Sequence, residues 1–392
     1  MNGRSKRLNN LSESFYLGQG ERIAQRQERG LDIFRLDIGS PDLPPPPEVV
    51  HRLTEYAELS GSHGYQSHIG PLGLRLAWAE AYQRWFDVQL KPSDHIQPLI
   101  GSKEGIFNLT QTLVDPGQVV LVPDPAYPTY IESARFAGAE VVTIPLLEQN
   151  SFLPDFSSIS ERDLKRTRLL WLNYPNNPTG AVSPRSVLEE AVALAKRFNF
   201  LVCHDAAYCK VTFNGYEAGS ILQIPGALDF AVEFNSLSKS FNMAGWRMGV
   251  LVGQAESITA LRLLKAQSES GQFLPAIQAG IASLATSEGW ITQRNQQYQQ
   301  RRDLMVTALK TIPGLKVQTP KAGLYLWIKL LNEESSLSYC LDLMKNTGIC
   351  IAPGSIYGEY GEGFVRLSLV APGKVLQEVA ERWKQWAESR SS

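Results

Sequence analysis

The sequence has few cysteines, no long apolar segment and almost no net charge. Its four cysteines in 392 residues form no CxxC pair, so neither a disulfide framework nor a zinc or redox motif is indicated. We therefore expect buried, reduced thiols and a cytoplasmic location. No apolar run of about 18 residues occurs, and no apolar core follows the polar, basic N-terminus. The sequence thus predicts neither a transmembrane helix nor a secretory signal.

The charge balance argues against two classes of partner. The 38 lysines and arginines nearly cancel the 39 aspartates and glutamates, which leaves a net charge of −1. Such a chain has no electrostatic footprint for nucleic acid or for an anionic membrane surface. Its 43% hydrophobic and 20% charged residues are typical of a folded globular protein of two or three domains.

Short apolar runs alternate with amphipathic stretches through the middle of the chain. The predicted strands cover residues 119–122, 140–144, 168–172, 200–204, 230–234 and 249–252. The predicted helices between them cover residues 103–113, 127–137 and 184–197. This alternation predicts an α/β domain with a mainly parallel sheet, which binds ligands at the carboxyl ends of its strands. After about residue 287 strands and helices mix, which indicates a smaller α+β domain.

One segment, residues 236–249, combines a lysine with several hydroxyls after a predicted strand. Lys239 lies between Ser238 and Ser240, and Arg247 follows eight residues later. A lysine amine can form a Schiff base with an aldehyde, while hydroxyls and an arginine suit a phosphate dianion. Taken alone, a surface lysine in a serine-rich loop is the simpler interpretation.

Three further segments place polar residues at the ends of predicted strands or at a helix start. An asparagine in residues 173–180 (NYPNNPTG) can donate to a phenolate oxygen, and Asp205 can keep a pyridine nitrogen protonated. Residues 100–103 (IGSK) open a helix whose free amides favour an anion. Each segment alone also has a structural explanation as a turn, a helix cap or an ordinary helix start.

In this order the segments resemble the class I and II aminotransferases, which have fold type I and depend on pyridoxal phosphate. The resemblance extends from about Gly39 to Arg366 and is closest to the branch of aspartate, alanine and LL-diaminopimelate aminotransferases. It implies a large cofactor-binding domain at 45–287, with a mainly parallel seven-stranded sheet between helices. It also implies a smaller α+β domain at 288–392 and an N-terminal arm at 1–44 that packs with the small domain.

The resemblance implies pyridoxal 5′-phosphate as cofactor and a role for each matching residue. Lys239 would hold the cofactor and move the proton, Asp205 would face the pyridine nitrogen, and Tyr208 would bond the phenolate oxygen. The other cofactor-binding residues would be Ser102, Lys103, Tyr127, Asn177, Ser236, Ser238 and Arg247, and Tyr65 would reach the phosphate in the neighbouring subunit. The substrate would contact Gly39, Tyr127, Asn177, Arg366 and Tyr16. Arg366 suits the α-carboxylate because a planar guanidinium binds a carboxylate bidentately.

The implied activity is transfer of an amino group between an L-amino acid and a 2-oxo acid by a ping-pong mechanism, in a homodimer with shared active sites. Ser270 lies where some LL-diaminopimelate enzymes carry an asparagine, so the substrate side chain stays open, with aspartate and LL-diaminopimelate as candidates. The alternatives are another fold-type I enzyme, such as a C–S lyase or decarboxylase, and a non-catalytic regulator that binds pyridoxal phosphate. The products would identify a lyase or decarboxylase, and a regulator would convert no amino acid.

Overall fold

The computed structural model of the protein describes Gly3 and residues 5–12, 15–332 and 334–391. Its helices, in chain order, are α1 Phe15–Glu28, α2 Pro47–Ala57, α3 Leu72–Phe86, α4 Ser102–Leu113, α5 Thr129–Ala137, α6 Glu161–Arg166, α7 Arg185–Phe198, α8 Leu237–Ser240, α9 Ala255–Ser268, α10 Leu274–Leu284, α11 Glu288–Leu309, α12 Ser336–Thr347 and α13 Gly373–Ser391. Its strands are β1 Phe34–Arg35, β2 Ile96–Leu99, β3 Val119–Asp124, β4 Glu140–Pro145, β5 Thr167–Asn173, β6 Leu201–Asp205, β7 Ala231–Ser236, β8 Gly249–Gly253, β9 Leu315–Val317, β10 Tyr325–Leu330, β11 Ile349–Cys350, β12 Ala352–Pro353 and β13 Phe364–Ser368.

A seven-stranded sheet in the order β2-β8-β7-β6-β5-β3-β4 organises the larger part of the chain. Strands β4, β3, β5, β6 and β7 pair in parallel, and β8 is antiparallel to both of its neighbours. The carboxyl ends of the parallel strands therefore lie along one edge of the sheet. This arrangement confirms the predicted α/β class with a mainly parallel seven-stranded sheet.

The central strands are buried on both faces because helices cover each side of the sheet. Every residue of β3, β6, β7 and β8 is buried. Along β5, Leu170 and Leu172 pack into one apolar cluster, whereas Leu169 and Trp171 pack into another. Successive side chains of a strand point to opposite faces, so one strand contributes to both layers of the core. Near-continuous apolar runs are the pattern expected of such strands.

The C-terminal part contains a four-stranded antiparallel sheet in the order β12-β13-β10-β9. The N-terminal segment packs with this part of the chain, because β1 pairs in parallel with β11 in a separate two-stranded sheet and Leu36 lies in the same apolar cluster as Leu326 and Trp383. The proposed domain limits at 44/45 and 287/288 stay a prediction, although α11 does begin at Glu288.

The structure also contains elements that the sequence pattern did not predict. Strand β2 includes Pro98, a residue that argues against a strand, and among the described strands it pairs only with β8. The helix predicted from residue 127 begins instead at Thr129, directly after Pro128. All four cysteines are buried and free, as expected. Within the described residues, no helix combines the length and apolar character needed to cross a membrane.

Candidate active site

A cavity of about 360 Å³ lies at the carboxyl ends of the parallel strands. Its walls come from the N-terminal segment, the large sheet with its helices, and the C-terminal sheet. The lining residues are Tyr16, Ile38, Gly39, Ser40, Ser102, Lys103, Tyr127, Tyr130, Asn173, Asn177, Asp205, Ala207, Tyr208, Ser236, Ser238, Lys239, Ala244, Arg247, Tyr325 and Arg366. Every predicted site residue is among them except Tyr65, whose side chain is 94% exposed outside this cavity.

Lys239 reaches the cavity from the short helix α8, which follows β7 without a loop. The helix starts here because Ser236 caps it, its hydroxyl accepting a hydrogen bond from the amide of Ser238 at 3.2 Å. The Lys239 Nζ donates to the carbonyl oxygen of Gly39. Burial, together with the positive charges of Arg366 and Arg247, lowers the pKa of Lys239 to about 8. An amine with this pKa is partly neutral near neutral pH and can act as a nucleophile or as a base.

Asp205 ends β6 beside Asn173, its register partner at the end of β5. The Asn173 amide donates to the Asp205 backbone oxygen at 2.7 Å. The buried carboxylate accepts from the Tyr130 hydroxyl at 2.7 Å and from the Ala207 amide at 3.1 Å. Burial raises the pKa of Asp205, although these two donors act in the opposite direction. A cation placed against this carboxylate would therefore hold it in the ionised form.

Tyr130→Phe is expected to destabilise the ionised form of Asp205, because the Tyr130 hydroxyl donates a hydrogen bond to Asp205 Oδ2. Losing a hydrogen bond to a charged group costs about 1.5–3 kcal/mol, which corresponds to a loss in kcat/KM of about 10-fold or more. Since the pKa of Asp205 would rise further, the acid limb of the pH profile should move to higher pH. The measurement is kcat/KM against pH.

Tyr174→Phe is the matched control for that variant. Tyr174 is also buried, but its hydroxyl donates to the Phe152 carbonyl at 2.8 Å and does not line the cavity. An acid limb that moves equally in both variants would contradict the assigned role of Tyr130.

One end of the cavity is built to hold a dianion. Ser102 begins α4, a 12-residue helix, and Ser236, Ser238 and Arg247 line the cavity with it. Gly101 has φ +78, and a Cβ there would lie 2.2 Å from an Arg247 Nη. Only glycine therefore allows the guanidinium to lie across the start of the helix. The helix N-terminus, three hydroxyls and an arginine together favour a phosphate group.

Arg366 provides a second anion site in the C-terminal sheet. Its Nη1 donates to Asn177 Oδ1 at 2.8 Å, and its Nη2 donates to the Asp37 carbonyl at 2.6 Å. The guanidinium lies over the rings of Tyr325 and Tyr357, at 4.0 and 4.9 Å from their centres. The Nε is buried and has no hydrogen-bond partner among the described residues. A carboxylate entering the cavity can supply that missing acceptor.

Tyr127 and Tyr16 line the part of the cavity toward the substrate. Tyr127 is partly buried, its ring packs edge-on against Tyr130, and Lys103 Nζ lies 5.8 Å from the ring centre. The Tyr16 hydroxyl lies 3.4 Å from both the Asp37 carbonyl and the Tyr357 hydroxyl. These contacts put the beginning of α1 at the mouth of the cavity.

Seven lining residues were not predicted from the sequence, among them Tyr130, Tyr325 and Asn173. Tyr130 follows Tyr127 by three residues, a spacing that could have suggested a shared helix face. Asn173 begins the NYPNNPTG segment. The Tyr325 hydroxyl lies 2.8 Å from the Tyr208 hydroxyl, a contact across 117 residues for which no local signal exists.

This set of donors fits pyridoxal phosphate. A partly buried amine of lowered pKa suits its aldehyde, and a buried carboxylate suits its ring nitrogen. The dianion site suits its phosphate, and the unpaired Nε of Arg366 remains for a substrate carboxylate. No cluster of potential metal ligands occurs in the described part of the chain.

Comparisons with known proteins agree with this chemistry. Residues 32–382 match the family model described as aminotransferase class I and II. An LL-diaminopimelate aminotransferase of Dehalococcoides mccartyi is 44% identical over 376 residues, 95% of this chain and 96% of that protein. Substrate-bound BacF from Bacillus subtilis superposes with a TM-score of 0.95 at 32% identity, covering 99% of this chain and 98% of that one. A probable N-succinyldiaminopimelate aminotransferase from Thermus thermophilus superposes with a TM-score of 0.89 at 35% identity, covering 95% of this chain and 100% of that one.

Proposed function

We propose that this chain, which belongs to the class I and II aminotransferase family, acts on an L-amino acid of the LL-diaminopimelate type, whose side chain ends in a second carboxylate. The chain is a pyridoxal-phosphate-dependent aminotransferase, which moves an amino group between an amino acid and a 2-oxo acid. Amino transfer is therefore favoured over the lyase, decarboxylase and regulator alternatives. A cytoplasmic location is part of the proposal, since all four cysteines are free.

Lys239, Asp205 and Tyr130 have separate roles in the reaction. Bound pyridoxal phosphate supplies an aldehyde for the amino group and a ring that takes up the electron pair left at the substrate Cα. Lys239 Nζ holds the cofactor and, once released, takes the proton from Cα; its pKa of about 8 suits both duties. Asp205 keeps the proton on the ring nitrogen, and Tyr130 holds the carboxylate in place.

The remaining residues orient the two ligands. Asn177 turns its Oδ1 to Arg366, which leaves its NH₂ group for the cofactor's phenolate oxygen. Tyr208, which also lines the cavity, would bond the same oxygen. Arg366 fixes the substrate α-carboxylate, so Cα stands within reach of Lys239.

The observation that carries the substrate proposal is a second cation at the cavity. Lys103 lines the cavity but is exposed, and its ammonium lies 5.8 Å from the centre of the Tyr127 ring, whereas Arg366 is buried. The resemblance implied that Lys103 binds phosphate, but its position also suits a carboxylate at the far end of a long side chain. Asp205 is the only carboxylate among the lining residues, and it is engaged by Tyr130 and Ala207. A second substrate carboxylate would therefore meet a positive charge.

The substrate proposal predicts that LL-diaminopimelate is a better amino donor than L-lysine. The two differ at the far end by one carboxylate, and a charge-assisted contact supports a preference of about 10-fold in kcat/KM. Lys103→Met should reduce that preference, whereas Lys103→Arg should retain most of it. The measurement is the absorbance change of the bound cofactor in single half-reactions, with aspartate, alanine and phenylalanine in the same panel. An equal or higher rate with lysine, or with an aromatic donor, would contradict the proposal.

We also propose that the working form is a homodimer. Tyr65, Leu263 and Phe273 have exposures of 94%, 72% and 51%. The Phe273 ring lies 6.2 Å from His63, and Gly271 packs against the backbone of Gln66. Tyr65 thus projects from a surface beside the anion-binding end of its own cavity, where a second copy would receive it.

The dimer predicts an effect of Tyr65 on cofactor affinity without an effect on mass. Light scattering should give twice the 43.5 kDa chain mass. Tyr65→Phe should keep that mass but raise the dissociation constant for pyridoxal phosphate by about 3- to 10-fold, because one hydrogen bond to the phosphate is lost. A fully active monomer would contradict the proposed dimer.

A further inference from the structure

Lys265 is a fully buried cation that lies behind the cavity and does not line it. It sits near the end of α9, and its Nζ bonds to Glu104 at 3.1 Å and to Glu269 at 2.7 Å. A buried lysine is costly unless it is paired, so two carboxylates at this distance indicate a specific arrangement. The aminotransferase chemistry proposed above does not use it.

Glu104 connects Lys265 to the start of α4. Its Oε1 accepts from Lys265, and its Oε2 accepts from the amide of Ile100 at 3.1 Å. Ile100 immediately precedes Gly101 and Ser102, the residues that begin the dianion site. The direction of the α4 N-terminus therefore depends on a carboxylate that Lys265 holds.

Glu269 connects Lys265 to the other side of the same site. Its Oε2 accepts from the amide of Gly271 at 3.1 Å. The next residue, Gln272, donates from its Nε2 to the carbonyls of Arg247 at 2.9 Å and Leu99 at 3.1 Å. Arg247 has φ +58, a left-handed conformation that is rare for a side chain of this size and needs support from its surroundings.

These contacts form a closed network of hydrogen bonds and ion pairs. It connects Leu99 through Gln272 and Glu269 to Lys265, and connects Lys265 through Glu104 to Ile100, the residue after Leu99. The network contacts both parts of the dianion site, since it bonds to Ile100 before the start of α4 and to the carbonyl of Arg247. Lys265 is its charged centre.

We propose that Lys265 is a positioning residue for the phosphate of the cofactor, acting through Glu104 on the α4 N-terminus and through Glu269 and Gln272 on Arg247. This rests on the proposed placement of pyridoxal phosphate in the cavity. Lys265 does not touch the phosphate; it keeps the amides, hydroxyls and guanidinium in the geometry that binds a dianion. Partners of this outer kind commonly change affinity by about 10- to 100-fold.

The test compares the apoprotein's affinity for pyridoxal 5′-phosphate with its affinity for pyridoxal, which has the same ring and aldehyde but no phosphate. Both dissociation constants are measured by the absorbance and fluorescence of the bound ring. Lys265→Met should weaken binding of pyridoxal phosphate about 10-fold or more and leave binding of pyridoxal nearly unchanged. Gln272→Leu should do the same to a smaller degree, and it leaves no unpaired buried charge if Lys265→Met folds poorly.

Arg302→Met is the matched control, because Arg302 is equally buried but pairs with Asp303 and with the Pro320 carbonyl. It should not change the ratio of the two affinities. Equal losses for both ligands in Lys265→Met and Gln272→Leu, or no loss in either, would overturn the positioning role. A wild-type chain that binds neither ligand at Lys239 would instead overturn the proposed function, so the two failures are distinguishable.

Discussion

Lys239→Ala is expected to lower the turnover number by at least about 100-fold. The variant loses the amine that holds the cofactor and the base that moves the Cα proton, and base catalysis alone contributes about 100- to 10,000-fold. The measurement is single-turnover transfer from an amino donor to the bound cofactor. Borohydride treatment should label Lys239 in the wild-type chain and nothing in the variant.

The variants Lys239→Met and Lys239→Arg distinguish a loss of catalysis from a loss of folding stability. The pKa of Lys239 is lowered to about 8, so its burial costs stability below pH 8, and the cost disappears as pH rises toward the ordinary value of 10.5. The apoprotein of Lys239→Met should therefore be at least as stable as the wild type at pH 7. Lys239→Arg keeps the charge but cannot hold the aldehyde, and it should be as inactive as the alanine variant. Wild-type turnover in any of the three would refute the role of Lys239.

Asp205→Asn is expected to lower kcat/KM by about 100- to 1,000-fold. A carboxylate against a protonated nitrogen contributes up to about 4 kcal/mol at an effective dielectric constant near 20, and the neutral amide contributes far less. Without that charge the ring nitrogen loses its proton, and the ring accepts the electron pair from Cα less well. The measurement is kcat/KM across pH, together with the absorbance spectrum of the bound cofactor.

The apoprotein again provides the control for Asp205→Asn. Burial raises the pKa of Asp205, so the ionised carboxylate destabilises the apoprotein at pH 7, and an amide of the same shape removes that cost. Thermal unfolding of apo Asp205→Asn should occur at the wild-type temperature or above it. A variant that folds, binds cofactor and keeps wild-type turnover would show that Asp205 does not face the ring nitrogen.

The sequence predicted the residues that stand at the ends of strands. Asp205 closes an apolar run, and Asn177 follows another, so their places at one sheet edge follow from the parallel order. Lys239 and Arg247 lie in a single segment with unusual composition. In each case the signal is local, because the residue and the element that positions it are neighbours in the chain.

The missed residues act through contacts between distant parts of the chain. Tyr325 reaches Tyr208 only because β10 pairs with β13 and the C-terminal sheet packs onto the large one. Lys265 resembles any lysine of an amphipathic helix, and its burial depends on Glu104, 161 residues earlier. Strand β2 was missed because Pro98 argues against a strand. Packing overrides local preference at such positions, and no periodicity in the sequence records it.

The close approach of Gly39 to Tyr325 restricts the order in which substitutions at these two positions can be accepted. A Cβ at position 39 would lie 1.8 Å from the Tyr325 hydroxyl oxygen and 2.5 Å from the ring carbon that carries it. Phenylalanine at position 325 would still leave the ring too close, so a smaller side chain must appear there before alanine can be accepted at 39. A residue larger than glycine can thus be accepted at position 39 only after position 325 has lost the aromatic ring that stacks on Arg366.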